Sequence, residues 1–518
     1  MRICAPSWKH ALAESIQFSA YRNKYQVVKN NMWRILSILL SLCLLLGCLT
    51  AVSCSSPDIG EDTAVSGSAG ETATEEDPRA TLENPNVSYD GYVFRVCSIA
   101  SETHYTALDP GKLTGEAVND SIYERNRRIE NEYDIEFQCE TSDITANYVT
   151  MEKQVMAGSG DDGYDLIMLI SRNAFSAALR NLLINYDRLP YVDTDKEYYF
   201  EDINSQFTIG NNTFFAYGSE NINVFSLSSA LFYNKEIVAE QNMGNLYDDV
   251  RNRKWTFDRL YTLAAEATGD TNGDGSIRFG EDVLGLIGNY DRTIPCFWVS
   301  TGEKLIFKDE NDLPVYTAHG NERMIDIMQE AAAQFATEAF DVYGADEKRL
   351  QTFMEGNALF LSTGIGELSK LKATELDYGV LPWPMYDELQ EDYVSRCGDA
   401  WLHCVPTNTK NPERTSVIMQ ALAYYSYGTV YKAYYDQALT AQYVRDPDSV
   451  DMMKIILSTL SVDLGDTIWF ESLRFPITKA FLDKKGGIGI ASTFKGYERV
   501  ALKEISKVTD FLDERNAE

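Results

Sequence analysis

Short apolar runs alternate with amphipathic ones along most of this chain. YVFRVCSIA, residues 92–100, is a β-rich run closing on small polar residues, the pattern of a buried strand. In the segment that follows, Val118, Ile122, Ile129 and Tyr133 are spaced by four, seven and four, so one face of a helix carries them. DIEFQCE predicts a second strand. YDLIMLI (164–170) predicts a third, running into the helical SRNAFSAALRNLL. FFAYGSEN and SALFYNKEI are again strand-like. In KWTFDRLYTLAAEA, Thr256 is placed as an N-cap, with Trp255 and Leu260 spaced for a hydrophobic staple. VLGLIGN (283–289) and NALFLSTG read as strands. ERMIDIMQEAAAQFA, EKRLQTFMEG and ERTSVIMQALAYYSYGTVYKAYYDQAL have helical periods, as does 494–513 with Val500, Ile505, Val508 and Leu512 inward. Strand and helix alternate, which predicts an α/β fold of parallel sheets flanked by helices. No internal repeat is present.

The N-terminus departs from this pattern. Residues 35–52, ILSILLSLCLLLGCLTAV, are the one long apolar run, preceded by Arg34 and followed by SCSS. A basic residue, an apolar stretch and then a cysteine form an export signal ending in a lipid-attachment site. It resembles the lipobox of bacterial lipoproteins, with Cys54 as the lipidated residue and Cys48 as the competing one. A retained transmembrane helix is the alternative, although the run is barely long enough to span. Residues 1–31 are unlike a signal n-region, which makes Met32 a candidate start. From Ser55 to about Asn84 the chain is Ser, Thr, Gly, Ala and acid, too polar to bury a core, so a flexible tether is expected.

Composition narrows the function. At 518 residues the chain exceeds one ordinary core, so at least two lobes are expected. Its 46 basic and 78 acidic residues leave a net charge of −32, which disfavours nucleic acid and anionic membrane surfaces as partners. The folded part retains Cys97, Cys139, Cys296, Cys397 and Cys404. An odd count without a close pair argues against a disulfide framework and a zinc site. They read as packing residues, with a Cys397–Cys404 bond open to a hairpin that brings them together.

One motif is specific. DTNGDGSIRFGE places Asp270, Asn272 and Asp274 at loop positions one, three and five, Gly275 at six and Glu281 at twelve, the EF-hand calcium pattern. The expected ligands are those three side chains, the Ser276 carbonyl and Glu281. Arg278 at position nine cannot ligate, so a water or a neighbour such as Asp282 must help. Only the preceding helix is convincing and no second loop exists, so a static structural calcium ion is expected.

The order of pieces resembles the family-1 extracellular solute-binding proteins of bacterial ABC importers, most of which bind carbohydrates. The likeness rests on NDSIYERNRRIENEYDIEF, YDLIMLI, ALFYNKEI, KWTFDRLYTLA before DTNGDG, GNALFLSTG, YGVLPWPMYDE and VPTNTKNPERTSVIMQALAYYS, spanning roughly residues 88 to 515. It implies two α/β lobes joined by crossing hinge segments and closing on ligand in the cleft between them. Residues 1–53 would be the signal region and 54–85 the lipidated tether. Lobe one would take 86–222 plus 397–440, and lobe two 223–396 plus 441–518, with crossings near SENINVF and RCGDAW. The implied partners are a sugar, the ABC permease subunits and, through the lipid, the membrane, for a monomeric receptor on the outer face of the cell membrane.

A sugar site needs an aromatic platform and fixed polar groups at strand ends. The candidates are Ser101 and Glu102, then Glu220 and Asn221, then Asn289, Asp291, Arg292 and Trp298, and finally Asp399 and Trp401, with Thr363 at a helix start. Trp298 and Trp401 read equally as core, and Trp383 in LPWP reads as turn packing. Arg292 either pairs with Asp291 or recognises a carboxylated sugar. No G-x-S-x-G, H-E-x-x-H or P-loop is present. A secreted carbohydrate-active enzyme and a calcium-dependent interaction module remain the alternatives to a binder.

Overall fold

The computed structural model describes residues 82–101, 108–158, 163–343, 346–372, 374–438, 445–484 and 489–516. The apolar run, Cys48, Cys54, the tether as far as residue 81 and Glu102 lie outside the described residues; the expected tether's last residues are packed instead, with Leu82 buried and the Asn84 side chain donating to the Tyr133 hydroxyl and the Val417 carbonyl.

Two sheets organise the chain. The first is built from β1 (Tyr92–Ile99), β2 (Ile135–Ser142) and β3 (Leu166–Ile170), joined by Trp401–Cys404. Helix α1 (Ala117–Tyr133) links β1 to β2 and buries Val118, Ile122, Ile129 and Tyr133, the stripe that its spacing requires. Helix α2 (Ser171–Leu179) starts directly from β3, whose five residues are all buried. The second sheet contains β4 (Ser229–Asn234), β5 (Leu284–Gly288), β6 (Phe340–Asp341), β7 (Ala358–Gly364) and β8 (Tyr378–Leu381), in the order β8-β4-β7-β5-β6. Its apolar strands are covered on both faces. Helix α3 (Phe257–Ala267) is capped by Thr256, whose side chain accepts from the Arg259 N–H, and both Trp255 and Leu260 are buried. Helix α4 (Tyr290–Val299) leaves β5. The strand Trp401–Cys404, here β9, completes the first sheet in the order β9-β3-β1-β2.

Several expectations need correction. The sheets are mixed: β9 runs antiparallel to β3, and β4 runs antiparallel to both β7 and β8. The cause is the connectivity. The chain enters β4 and β9 from the opposite sheet, so neither strand follows the helical crossover that enforces parallel pairing. FFAYGSEN forms no strand and makes only isolated bridges, Ala216 to His403 and Gly218 to Tyr199. In the C-terminal helix (Ile490–Asn516) Val508 and Leu512 are buried, but Val500 is exposed and Ala501 faces inward. Cys397 and Cys404 are both buried and free, because Cys397 bridges Ser228 on one crossing while Cys404 lies in β9.

The chain leaves the first sheet through Ser219–Ser228 and returns through Cys397–Ala400. The two passages touch at the Ser228–Cys397 bridge. The functional side chains gather there.

Candidate functional site

Trp401 opens β9 opposite Ile170, at the C-terminal end of β3. Its N–H donates to the Tyr217 hydroxyl at 3.0 Å, and its carbonyl accepts from the Asn221 side chain at 2.7 Å. The Ser171 N–H donates to the Ala400 carbonyl at 2.7 Å, so the first turn of α2 is fastened to the returning passage. Asp399, just before it, has a left-handed φ of 45°, a conformation that short Asp side chains tolerate better than most.

A small cleft, open to solvent, lies beside these residues, lined by Ser226, Leu227, Ser229, Arg292, Gly364, Glu367, Arg396, Gly398 and Asp399. The two passages, the end of β7 and the first turn of α4 all contribute to it. Gly398 is needed because a Cβ there would stand 2.4 Å from an Arg396 nitrogen. Gly364 lets the outgoing passage approach, since its Cβ would lie 3.2 Å from the Ser226 carbonyl.

A buried ionic lattice underlies the cleft. Arg396 grips Asp466 with two bonds, Nε to Oδ2 at 2.7 Å and Nη2 to Oδ1 at 2.9 Å. Arg474 is shared: Nη2 reaches Asp399 at 3.1 Å and Asp291 at 3.3 Å, and Nη1 reaches Asp466 at 3.3 Å. Arg474 is presented by a π-helical turn, Phe470–Arg474, and lies 4.1 Å from the centre of the Phe470 ring. Burial presses Asp399 towards its neutral form. Arg474, Arg292, Arg396 and Arg172 outweigh it and hold the carboxyl well below the usual carboxylate range. Burial raises Asp291 instead, with Arg474 pulling the other way.

The structure gathers some candidates and disperses others. Asp399 and Arg292 line the cleft, Asp291 joins through Arg474, and Trp401 is half-buried next to Asp399. Thr363 is half-buried at the end of β7, and Ser101 directly follows β1. Asn289 caps α4 by accepting from the Asp291 N–H. Asn221 is buried and braces Trp401. Glu220 lies 3.2 Å from His403 Nδ1, tying one passage to β9 away from the cleft wall. Trp298 needs correction: it sits in α4, is fully buried and donates Nε1–H to Asp463 at 3.0 Å, so no face is left for a ligand. Trp383 is likewise fully buried. Arg172, Arg396, Asp466, Phe470 and Arg474 were missed by the sequence reading. Arg396 stands two residues before the glycine of CGDAW, a visible signal; Arg474 in WFESLRF has none.

The EF-hand-like loop lies apart from this cleft. Asp270 accepts from the Gly273 and Gly275 N–H groups at 2.7 Å each, and Gly275 has φ +82°. Asn272 and Asp274 accept from the Asp274 and Ser276 N–H groups at 2.9 Å. Arg278 bonds Asp274 and Glu281, covering two of the expected donors. Asp282 is buried and accepts from the Thr271 and Arg278 N–H groups, so it braces the loop from within. One helix precedes the loop and β5 follows it. Among the described residues no three His, Cys, Asp or Glu side chains converge as a metal-holding group. The donors are hard oxygens of the kind calcium takes, at the right spacing.

The family model described as "Bacterial extracellular solute-binding protein" matches residues 126–439. The chain belongs to that family. No curated protein matches it. Among solved structures this solute-binding protein is similar to a cyclo/maltodextrin-binding protein complexed with maltotetraose, at 15% identity and TM-score 0.55, covering 80% of this chain and 97% of that one. The GacH receptor of Streptomyces glaucescens, solved unliganded and with acarbose, matches at 15% identity and TM-score 0.55, covering 80% and 99%. MalX of Streptococcus pneumoniae with maltopentaose matches at 15% identity and TM-score 0.51, covering 80% and 99%. At these identities the likeness establishes the fold: two α/β lobes with a cleft between them. Among the described residues no helix is long and apolar enough to cross a membrane.

Proposed function

We propose that this solute-binding protein captures a carbohydrate, an oligosaccharide, by hinge closure and delivers it to the permease of an ABC transporter without altering it chemically. The observation that carries the reading is the open cleft at the paired passages, lined by hydroxyls, two guanidiniums and two carboxylates, with half-buried Trp401 two residues along the chain from Asp399. A sugar ring stacks its C–H face on an aromatic and offers its hydroxyls to planar charged groups. Family membership and the oligosaccharide complexes of its structural neighbours support the same reading.

In this account lobe one comprises 86–222 plus 397–440, and lobe two 223–396 plus 441–518. The passages Ser219–Ser228 and Cys397–Ala400 act as the hinge, and ligand touching both lobes favours the closed form through its differential affinity. Asp399, Arg292 and Trp401 make the central contacts, with Ser101 and Thr363 at the rim. Calcium binds Asp270, Asn272, Asp274, the Ser276 carbonyl and Glu281, displacing Arg278, and steadies the connection from α3 to β5. Cys54 carries the lipid that holds the monomer at the outer face of the membrane.

The test is a thermal-shift screen of mono- and oligosaccharides with calcium present, followed by chromatography of the recovered glycan. A bound sugar at a hundredfold excess over Kd adds about 2.7 kcal/mol of stability. Cleavage of the glycan, or no shift with any sugar, refutes the proposal.

A further inference from the structure

Four arginines converge where three aspartates stand. Arg172, in the first turn of α2, and Arg474 lie over the same Phe470 ring, at 4.8 Å and 4.1 Å. Arg474 reaches Asp399, which lines the cleft together with Arg292 and Arg396. The aspartates are already engaged: Asp466 by Arg396, and Asp399 and Asp291 by Arg474. Glu367, the other acid on the wall, is 3.2 Å from Lys370. Among the described residues the ion pair of Arg172 is with Glu471, 3.8 Å away and 71% exposed. Arg292 is exposed and makes no ion pair among the described residues.

An unpaired guanidinium on the cleft wall stands out in a chain whose net charge is −32. A neutral sugar offers it hydroxyl contacts only, whereas a carboxylate supplies the ionic partner that it lacks. Arg172 follows β3 of the first sheet and Arg292 follows β5 of the second; Arg292 lines the cleft, and Arg172 shares the Phe470 ring with Arg474, which reaches Asp399 on its wall. A carboxylate meeting either one gains a forked, charge-assisted contact, and one meeting both draws the sheets together. The strong depression of the Asp399 pKa, in which Arg292 and Arg172 both take part, reflects the same positive field.

We propose that the ligand is an acidic oligosaccharide whose uronic-acid carboxylate is held between Arg292 and Arg172. This rests on the sugar-capture reading and names its substrate class.

The experiment is calorimetric titration of the detergent-solubilised full chain with trigalacturonate and trimannuronate, with the carboxyl-reduced neutral form of each, and with maltotetraose. At least one uronate is expected to bind about tenfold or more tightly than its reduced form, and less tightly as salt rises. Arg292→Gln and Arg172→Gln should each weaken that uronate by about tenfold. Both side chains reach solvent, and an unchanged melting temperature of the variants without ligand shows that they fold. Neutral glycans binding as tightly as the acidic ones overturn the acidic assignment and leave sugar capture standing. No binding of any of these glycans overturns both. Uronate affinity unchanged in both variants overturns the placement of the carboxylate.

Discussion

Arg474→Met tests whether the ionic lattice holds the cleft wall in place. Arg474 is 1% exposed and is shared by Asp399, Asp291 and Asp466 at 3.1, 3.3 and 3.3 Å. Methionine fills much of the volume but removes the charge. Asp466 still accepts both hydrogen bonds from Arg396, so the loss falls on Asp399 and Asp291, each 22% exposed. Removing one partner of a buried pair costs about 3–5 kcal/mol, because the remaining charge is stranded. Partial access to water places this case at the lower end, about 3 kcal/mol. Urea unfolding at pH 7, with matching slopes for both proteins, measures it. The pH dependence carries a sign. The folded Asp399 pKa is depressed, so its pairing contributes stability above the unfolded value near 3.8, and that stability is lost as pH falls towards the folded value. The gap between wild type and variant should therefore be full at pH 7 and shrink only in strong acid. Arg474→Met with Asp399→Asn should recover part of the loss, since it no longer strands that carboxylate. A cost under about 1 kcal/mol, or a double variant no better than the single one, refutes the reasoning.

Three further outcomes follow from the geometry. Gly398→Ala drives a Cβ to 2.4 Å from an Arg396 nitrogen pinned by Asp466, and should cost about 1–3 kcal/mol in the same unfolding assay. Glu220→Ala strips buried His403 of its carboxylate and is expected to lower stability by about 1–3 kcal/mol, whereas Glu220→Gln, which keeps a hydrogen-bonding group, costs less. Calcium should raise the melting temperature of the wild type, and Glu281→Gln should abolish that rise; a melting curve indifferent to calcium and chelator would remove the structural-metal proposal.

The elements were legible where periodicity had a single reading. β1, α1, β3 and α3 each expose their pattern, because one face or the whole run must be apolar. FFAYGSEN misled because buried aromatics look the same in a strand and in a passage between two sheets. Trp298 misled for a related reason: an aromatic soon after a strand looks the same whether it faces a ligand or the core, and here it lies buried in the helix Tyr290–Val299. The cleft was half legible. CGDAW stood out through its glycine and charge, but Arg474 lies 75 residues from Asp399, and nothing local marks either as the other's partner. Arg172 is equally silent, an ordinary polar residue opening a helix. Ionic lattices are set by tertiary contact, so sequence shows the charges and not their pairing.

The lattice and the hinge are the same piece of chain. Gly398 and Asp399 belong to the returning passage and Arg396 precedes it, whereas Asp466 and Arg474 come from the C-terminal segment and Asp291 from α4. Any rotation of one sheet against the other must turn through Cys397–Ala400, yet Arg396 before it and Asp399 within it are anchored to Asp466 and Arg474. Bending is then left to Ala400 and to the opposite passage, where Ser228 bridges Cys397. A buried charge network tolerates little stretching, because each lost bond strands a desolvated ion. The passage is therefore stiff next to the cleft and compliant beyond it. In the proposed closure that division keeps Asp399 and Arg292 in fixed relation to each other while the first sheet, which carries Arg172, would move, so that closure would bring a second cation to a ligand already held by the first.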